Sequence, residues 1–209
     1  MIDHAAYTKA IHRSQHCQRN WDLSKQISQK DLKLLEIAAT QCPSKQNHSF
    51  YALKFITDRA LIEKIHETTN GFGVKDNPDL PASKENTAYH TNSQTLANLL
   101  IIIEYAEPSE RLKWRNETYN NKWKKDADMS IGIAAGYLNL IGTLLGYQTG
   151  CCACYNNKDV QKLVNTKNDI ALMMGIGFKD NSRPRREHHT ETEFTFPTKK
   201  KEEIKVEYL

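Results

Sequence analysis

The stretch Pro43-Ser44-Lys45-Gln46-Asn47-His48-Ser49-Phe50-Tyr51 decides how this chain is read. It follows an amphipathic segment ending Ile37-Ala38-Ala39-Thr40 and precedes a strand-like run, Ala52-Leu53-Lys54-Phe55-Ile56. A turn opened by proline therefore delivers Ser44, Lys45, Gln46 and Asn47 to one edge of a sheet. Short polar side chains at a helix–strand junction suit recognition of a hydrogen-bonding ligand. Two basic groups extend the pattern, Arg13-Ser14 upstream and Arg183-Pro184-Arg185-Arg186 downstream.

Working outward, Ile2 to His12 reads as a helix with Ala5, Ala6, Ala10 and Ile11 on its apolar face. Ser28 and Asp31 form a capping-box pattern, with Asp in place of Glu, before the stripe Leu32, Leu34, Leu35, Ile37 and Ala38. Tyr51 to Thr57 is a strand and Asp58 to Glu67 a helix. Asn70 to Ala88 is rich in Gly, Pro, Asn and Asp and reads as a long mobile excursion, a candidate lid. Asn92 to Asn98 leads into the strand Leu99 to Tyr105, whose continuous apolar run predicts cover on both faces. Glu107 to Asp126 reads either as an exposed helix or as an insertion. Asp128 to Leu145 is a central helix in which small residues recur at Gly132, Ala134, Ala135, Gly136 and Gly142, suited to close helix approach in a dimer core. Gly146 is its natural stop. A Cys-rich segment, a short helix from Lys158 to Val164 and the strand Ile170 to Ile176 follow. Ile204-Lys205-Val206-Glu207-Tyr208 alternates strictly, as an edge strand seeking a sheet does. The order of elements predicts an α+β sandwich, an antiparallel or mixed sheet covered by helices. It occupies one domain over 1–209, with 70–90 and 107–126 as lid or insertion segments and 195–209 as an arm.

At 209 residues the chain can bury a sizeable core. A net charge of +4 is mildly basic and does not make the footprint of a nucleic-acid binder. The run Lys199-Lys200-Lys201 is followed at once by Glu202-Glu203 and reads as a solvated stretch. Met1-Ile2-Asp3-His4 lacks the basic start and apolar run of a secretory leader. No apolar stretch is long enough to span a bilayer unbroken, so a soluble, cytoplasmic protein without membrane contact is expected. The five cysteines, Cys17, Cys42, Cys151, Cys152 and Cys154, are an odd number and argue for reduced thiols. Cys151 and Cys154 are spaced C-x-x-C, but a structural zinc site would need a second such pair. No metal site is expected.

The chain carries no phosphate loop of the G-x-x-x-x-G-K-[ST] kind, no G-x-G-x-x-G fingerprint and no H-E-x-x-H. What remains is a distributed anion site beside polar loops. Arg13 follows the first helix, and Arg183, Arg185 and Arg186 follow the last internal strand. An arginine fork donates two hydrogen bonds at once to a phosphate, and Ser14 adds a neutral donor.

These pieces, in order, resemble the FMN-dependent nitroreductase family. That family begins with a helix followed by a basic-x-Ser-x-basic motif, here His12-Arg13-Ser14-Gln15-His16. A Pro-Ser-x-x-Asn loop follows, here Pro43 to Asn47. Then come a Leu-Gly turn after a helix, here Leu145-Gly146-Tyr147, a strand ending in glycine, here Gly175 or Gly177, and a late arginine among Arg183 to Arg186. The similarity runs from about His12 to Arg186. It implies a nitroreductase-like three-layer sandwich and a homodimer with two flavins at the interface and a C-terminal strand exchanged between protomers. By position, Arg13, Ser14 and His16 would contact the flavin phosphate, ribityl chain or pyrimidine edge. Ser44 and Asn47 would approach it from the other protomer. Asn92 or Gln94 would meet its polar edge, and backbone groups near Cys152, Ala153 and Cys154 would face the reactive ring nitrogen. Arg185 or Arg186 would complete the phosphate site. The implied activity is that of a flavoprotein oxidoreductase: NADH or NADPH reduces FMN, which then reduces a nitroaromatic, quinone or related small-molecule acceptor in ping-pong fashion, with no catalytic residue from the protein. The alternatives are a non-catalytic FMN store or sensor, and a specialised flavin-degrading or dehalogenating branch. The chain departs from the family in having histidines at 12 and 16, where Arg19 is the basic residue able to compensate, and Phe50-Tyr51 in place of Pro-Trp.

Overall fold

The computed structural model describes residues 3–75, 79, 86–106, 123–197 and 200–208. In chain order the elements are α1 (His4–Ser14), α2 (Gln29–Thr40), β1 (Tyr51–Ile56), α3 (Arg59–Glu67), β2 (Gly73–Lys75), β3 (Thr87–Tyr89), β4 (Leu99–Tyr105), α4 (Trp123–Leu144), β5 (Gln148–Cys152), α5 (Asn157–Leu163) and β6 (Ile170–Gly177). Four strands form an antiparallel sheet in the order β1-β4-β6-β5. β2 and β3 pair as a separate two-stranded ribbon.

The apolar run of β4 explains the layers. Successive side chains of a strand point to opposite faces. Leu99, Ile101 and Ile103 pack with Met174 and Ile176 of β6 against Leu35 and Ala39 of α2 and Ile131, Ala135 and Leu138 of α4. Leu100 and Ile102 pack with Ile170 and Met173 against Ile62 and Ile65 of α3 and Val160 of α5. The sheet is thus covered on both faces, and the expected three-layer α+β sandwich is the observed one. Each fully buried Ile or Leu contributes about 1.5–3 kcal/mol by leaving water.

The helix ends follow their sequence signals. Ser28 Oγ accepts the Asp31 backbone N–H at 3.1 Å and donates to Asp31 Oδ2 at 2.8 Å. The same Oδ2 accepts from the Tyr147 hydroxyl at 2.7 Å, which ties α2 to the entry of β5. These two bonds hold the Asp31 carboxyl below the usual carboxylate range, the Tyr147 bond most. At the end of α4, Gly146 takes φ +91°, the Tyr147 N–H bonds the Gly142 carbonyl at 2.9 Å and the Gly146 N–H that of Thr143 at 3.0 Å. That is a Schellman stop, and only glycine takes such a φ without strain.

α4 presents two faces. Ala134, Ala135 and Gly142 point into the molecule, whereas Met129, Ile133, Tyr137 and Leu144 stay exposed. A Cβ built on Gly132 or Gly136 would meet nothing within 4 Å. α1 packs on α4, where Asn139 Nδ2 donates to the Ser14 carbonyl at 3.0 Å, and it leaves Tyr7 and Ile11 exposed.

The Cys-rich segment is a strand, β5, whose polar and glycine-containing sequence concealed it. The excursion from Asn70 onward holds the β2–β3 ribbon, although 76–78 and 80–85 lie outside the described residues. The 107–126 segment is described only from Trp123, where it opens α4. Residues 200–208 carry no regular structure, and Ile204, Val206 and Tyr208 are exposed. Among the described residues, the alternating segment pairs with no strand of its own chain. Among the described residues, no helix is long and apolar enough to cross a membrane.

Candidate functional site

Polar and charged side chains gather where the link from α1 to α2 runs along the free edge of β5. The Gln18 N–H donates to the Thr149 carbonyl at 2.9 Å. The Arg19 N–H donates to the Arg185 carbonyl at 3.0 Å, and Arg185 Nη1 returns a bond to the Cys17 carbonyl at 3.1 Å. Trp21, buried, donates its indole N–H to the Ser93 carbonyl at 2.8 Å. Residues 17–21 are thereby held between β5, the Asn92–Ala97 turn and the loop after β6.

That turn is the second component. Asn92 Oδ1 accepts the Gln94 N–H at 3.1 Å and Nδ2 donates to Cys152 Sγ at 3.1 Å. Arg59 of α3 donates to the Leu96 and Ala97 carbonyls at 3.1 Å each. The turn lies directly on the sheet because β5 and β6 pair glycine with glycine there, Gly150 with Gly175. A Cβ on Gly175 would stand 2.0 Å from the Gln94 carbonyl oxygen, and one on Gly150 3.1 Å from Gln94 Cβ. Gln94 is buried, and with its amide oriented to satisfy its neighbours Oε1 accepts from Arg19 Nη2 at 2.9 Å while Nε2 donates to the Cys151 carbonyl.

Arg19 stands at the centre of this group. Its guanidinium carbon sits 4.5 Å above the ring of Phe196, itself buried. Burial, and then the neighbouring Arg185, push its pKa down. Among the described residues, Arg19 Nε has no hydrogen-bond partner, and neither do the buried Gln18 Oε1, Asn20 Nδ2 and Ser93 Oγ close by. Buried donors are rarely left open, so an acceptor is missing beside Arg19 Nε. Cys152 is buried and its thiol is pushed up to about 11 by that burial, so it stays a neutral thiol. Cys151 and Cys154 are exposed, and all five cysteines are free.

The structure separates the residues the sequence grouped. Asn92, Gln94, Cys152 and Arg185 come together, with Ala153 and Cys154 continuing from the end of β5. Arg186 Nη1 bonds the Phe196 carbonyl at 3.5 Å beside them. Arg183 is committed elsewhere, to Glu187 at 2.8 Å and to the His188 carbonyl at 3.0 Å. Arg13 lies exposed in the last turn of α1, His16 is exposed, and Ser14 Oγ donates back to the Ile11 carbonyl at 2.8 Å. Arg19, six positions beyond Arg13, is the arginine that reaches the buried group. Its one sequence signal is the basic residue two before a tryptophan.

Ser44 and Asn47 lie elsewhere again. Gln46 and Asn47 take φ 54° and 55°, Ser44 Oγ donates to the His48 carbonyl at 2.8 Å, and Lys45 pairs with Asp126 at 2.9 Å. Their loop borders a groove of about 1150 Å³ between α2 and β1, lined further by Leu32, Tyr51, Leu53 and Phe55. β1 and β5 are the two opposite edges of the sheet. With strands about 4.8 Å apart, the Ser44–Asn47 loop and the Arg19 group stand three strand spacings apart across it.

No family model and no curated relative matches this sequence. Solved structures do match its fold. A nitroreductase family protein from Clostridium novyi aligns with 15% identity and a TM-score of 0.63, covering 84% of this chain and 86% of that one. A nitroreductase family protein from Streptococcus pneumoniae aligns with 12% identity and a TM-score of 0.63, covering 91% of this chain and 100% of that one. A protein from Exiguobacterium sibiricum, described as a nitroreductase and solved in complex with FMN, aligns with 14% identity and a TM-score of 0.62, covering 88% and 91%. The chain therefore has the nitroreductase fold that its sequence resembles.

Proposed function

We propose that the protein is an FMN-dependent oxidoreductase whose site is completed in a homodimer. The observation that carries this reading is the Arg19–Gln94–Asn92–Arg185 group, with the buried Arg19 Nε lacking an acceptor, set in a fold whose solved examples include one with FMN. The residues present fit the cofactor. Arg19 and Arg185 offer guanidinium N–H groups to a phosphate, and a charge-assisted bond of this kind is the strong type. Gln94 and Asn92 offer amide donors and acceptors to a heterocycle edge. The absence of a dinucleotide fingerprint favours FMN over FAD. Bound FMN would take hydride from NADH or NADPH and pass electrons to a nitroaromatic, quinone or related small acceptor.

The protein's own part is binding and orientation. The glycine pair under the Asn92 turn fixes Gln94 against the sheet. Phe196 shields one face of the Arg19 guanidinium from water, which strengthens its hydrogen bonds to an anion. Cys152, a thiol held by Asn92, serves neither as nucleophile nor as base. Ser44 and Asn47 would arrive from the partner, because they occupy the far edge of the sheet. The apolar outer face of α4, with Tyr7 and Ile11 of α1, supports a partner helix there. The arm beyond Thr195 would cross to that partner, where the groove beside β1 offers an open strand edge. Nucleic acid and membrane have no role in this reading.

The test is the absorbance spectrum of the protein reconstituted with FMN, its bleaching by NADH or NADPH without oxygen, and chromatography of the flavin released by heat. A yellow protein that bleaches and releases FMN is the expected result. Recovery of FAD alone, or of no flavin, refutes the reading. FMN that binds but never bleaches would assign a storage role.

A further inference from the structure

Two buried histidines take no part in the site as described. His188 is wholly buried and His66, in α3, nearly so. Their hydrogen bonds fix both tautomers. His188 Nδ1 accepts the backbone N–H of Thr190 at 3.2 Å and of Glu191 at 3.1 Å. Its proton therefore sits on Nε2, which donates to the Thr91 carbonyl at 3.1 Å and lies 3.3 Å from the Thr91 hydroxyl. His66 Nδ1 lies 3.2 Å from the Asn92 carbonyl, which can only accept, so Nδ1 carries the proton. Thr95 Oγ1, also 3.2 Å from Nδ1, gives its own hydrogen to that carbonyl at 2.9 Å. His66 Nε2 is then an acceptor, and the Thr91 hydroxyl donates to it at 2.8 Å. The bonds run one way: His188 to Thr91, Thr91 to His66, His66 to Asn92.

We propose that this chain is a latch: while both imidazoles are neutral it joins the segment His188–Phe196 to the Asn92–Gln94 turn, and acid opens it by adding a proton at His188. A second proton on His188 must enter at Nδ1, where two backbone N–H groups and the Thr190 hydroxyl already converge. Those backbone donors cannot turn away, so the cation can form only if the segment lets go. Phe196 belongs to that segment, stacking 5.8 Å from His188 and covering Arg19. Opening would free the Arg19 face and remove the support of the Gln94 turn together, making His66 and His188 positioning residues for the ligand.

The surroundings agree. Burial, above all, lowers both imidazoles, His66 down to about 4. His90 and Arg183 face His188 and oppose its charge, and His188 and Arg59 oppose charge on His66. Glu191 favours charge on both, and its carboxylate lies 3.8 Å from His188 Nε2, the nitrogen already protonated. Its pull therefore does not relieve the crowding at Nδ1.

The latch rests on the flavin reading only for the ligand it positions, so the tests are separated. Long-range nitrogen–proton correlation on the full chain with labelled histidine, at about pH 7.5, should show His66 protonated on Nδ1 and His188 on Nε2, neither as imidazolium. His188→Phe keeps the ring against Phe196 and removes both nitrogens. The amides of Thr190 and Glu191 should then exchange about tenfold faster. In wild type, FMN affinity should fall at least about tenfold between about pH 7.5 and 5, whereas His188→Phe starts weaker and has a flatter profile. A His188 imidazolium at neutral pH, or a His188→Phe protein equal to wild type in exchange and in FMN affinity at every pH, overturns the latch. Tautomers and exchange as expected in a protein that binds no flavin would support the latch and sink the flavin reading instead.

Discussion

At the scale of single residues, Arg19 and Arg13 make opposite use of the same side chain. Arg19 is desolvated, hydrogen-bonded to Gln94 and short of one acceptor, whereas Arg13 is exposed on a helix end. Arg19→Ala should weaken FMN binding by about 1.5–3 kcal/mol, the worth of a charge-assisted hydrogen bond. Arg13→Ala should change it by under about 0.5 kcal/mol, as exposed substitutions do. Flavin fluorescence titration of the two variants checks this, and equal losses would return the phosphate site to Arg13. The sequence reading placed Arg13 at the phosphate and named Arg19 only as a substitute for the histidines. It could do no better because the buried residues of this link, Gln18, Asn20 and Trp21, are mostly polar and carry no hydrophobic periodicity. Their burial comes from β5 and the Asn92 turn, which lie far away in the chain. Asn92, Gln94 and Arg185, which the structure brings close together, could be singled out because turn chemistry and a basic cluster mark them locally. The His66 and His188 network was not, since neither residue sits near the other until the chain has folded.

At the scale of elements, the Ser28 cap is the best-defined local feature. Ser28→Ala should destabilise the protein by about 1 kcal/mol in urea unfolding, the usual worth of an N-cap side chain. An unchanged midpoint would mean that Tyr147 alone anchors Asp31. The cap, the Gly146 stop and the two-sided burial of β4 could all be read in advance, because each depends on residues within a few positions or on a simple period. β5 could not. Its sequence Gln148-Thr149-Gly150-Cys151-Cys152 lacks β-branched alternation, and its glycine serves the turn laid over it, not the strand. The last segment shows the converse. Ile204, Val206 and Tyr208 alternate as a strand should, yet in the single chain they face solvent. Strand pattern without a partner strand does not make a strand. Truncation after Pro197 should therefore weaken dimerisation and flavin retention together, read by light scattering and absorbance. A truncated dimer with full flavin would send the arm back to its own chain.

At the scale of the whole molecule, the buried histidines set the acid limit of the fold. His66 is held down to about 4 from an ordinary 6.5, with His188 and His189 also lowered, all chiefly by burial. A lowered histidine is neutral in the folded state while the unfolded chain takes up a proton. Its contribution is present in full above the unfolded value and disappears as pH falls through the folded one. His66 alone should therefore remove about 3 kcal/mol between about pH 6.5 and 4. Urea unfolding across that interval should show the loss, and His66→Asn should flatten it; a flat wild-type profile would contradict a neutral buried imidazole. The sheet order has a different kind of outcome. Arg19 and Asn47 lie toward opposite edges of the sheet, so in the proposed two-fold dimer each site would draw one from each chain. At an FMN concentration too low to fill the weakened sites, a chain lacking Arg19 and a chain lacking Asn47 should each turn over little alone. Unfolded together in equal amounts and refolded, they should pair at random, and each mixed dimer should hold one site with both defects and one with neither. Turnover should then reappear at about a quarter of the wild-type level, rescued by nothing but the mixing of two impaired proteins.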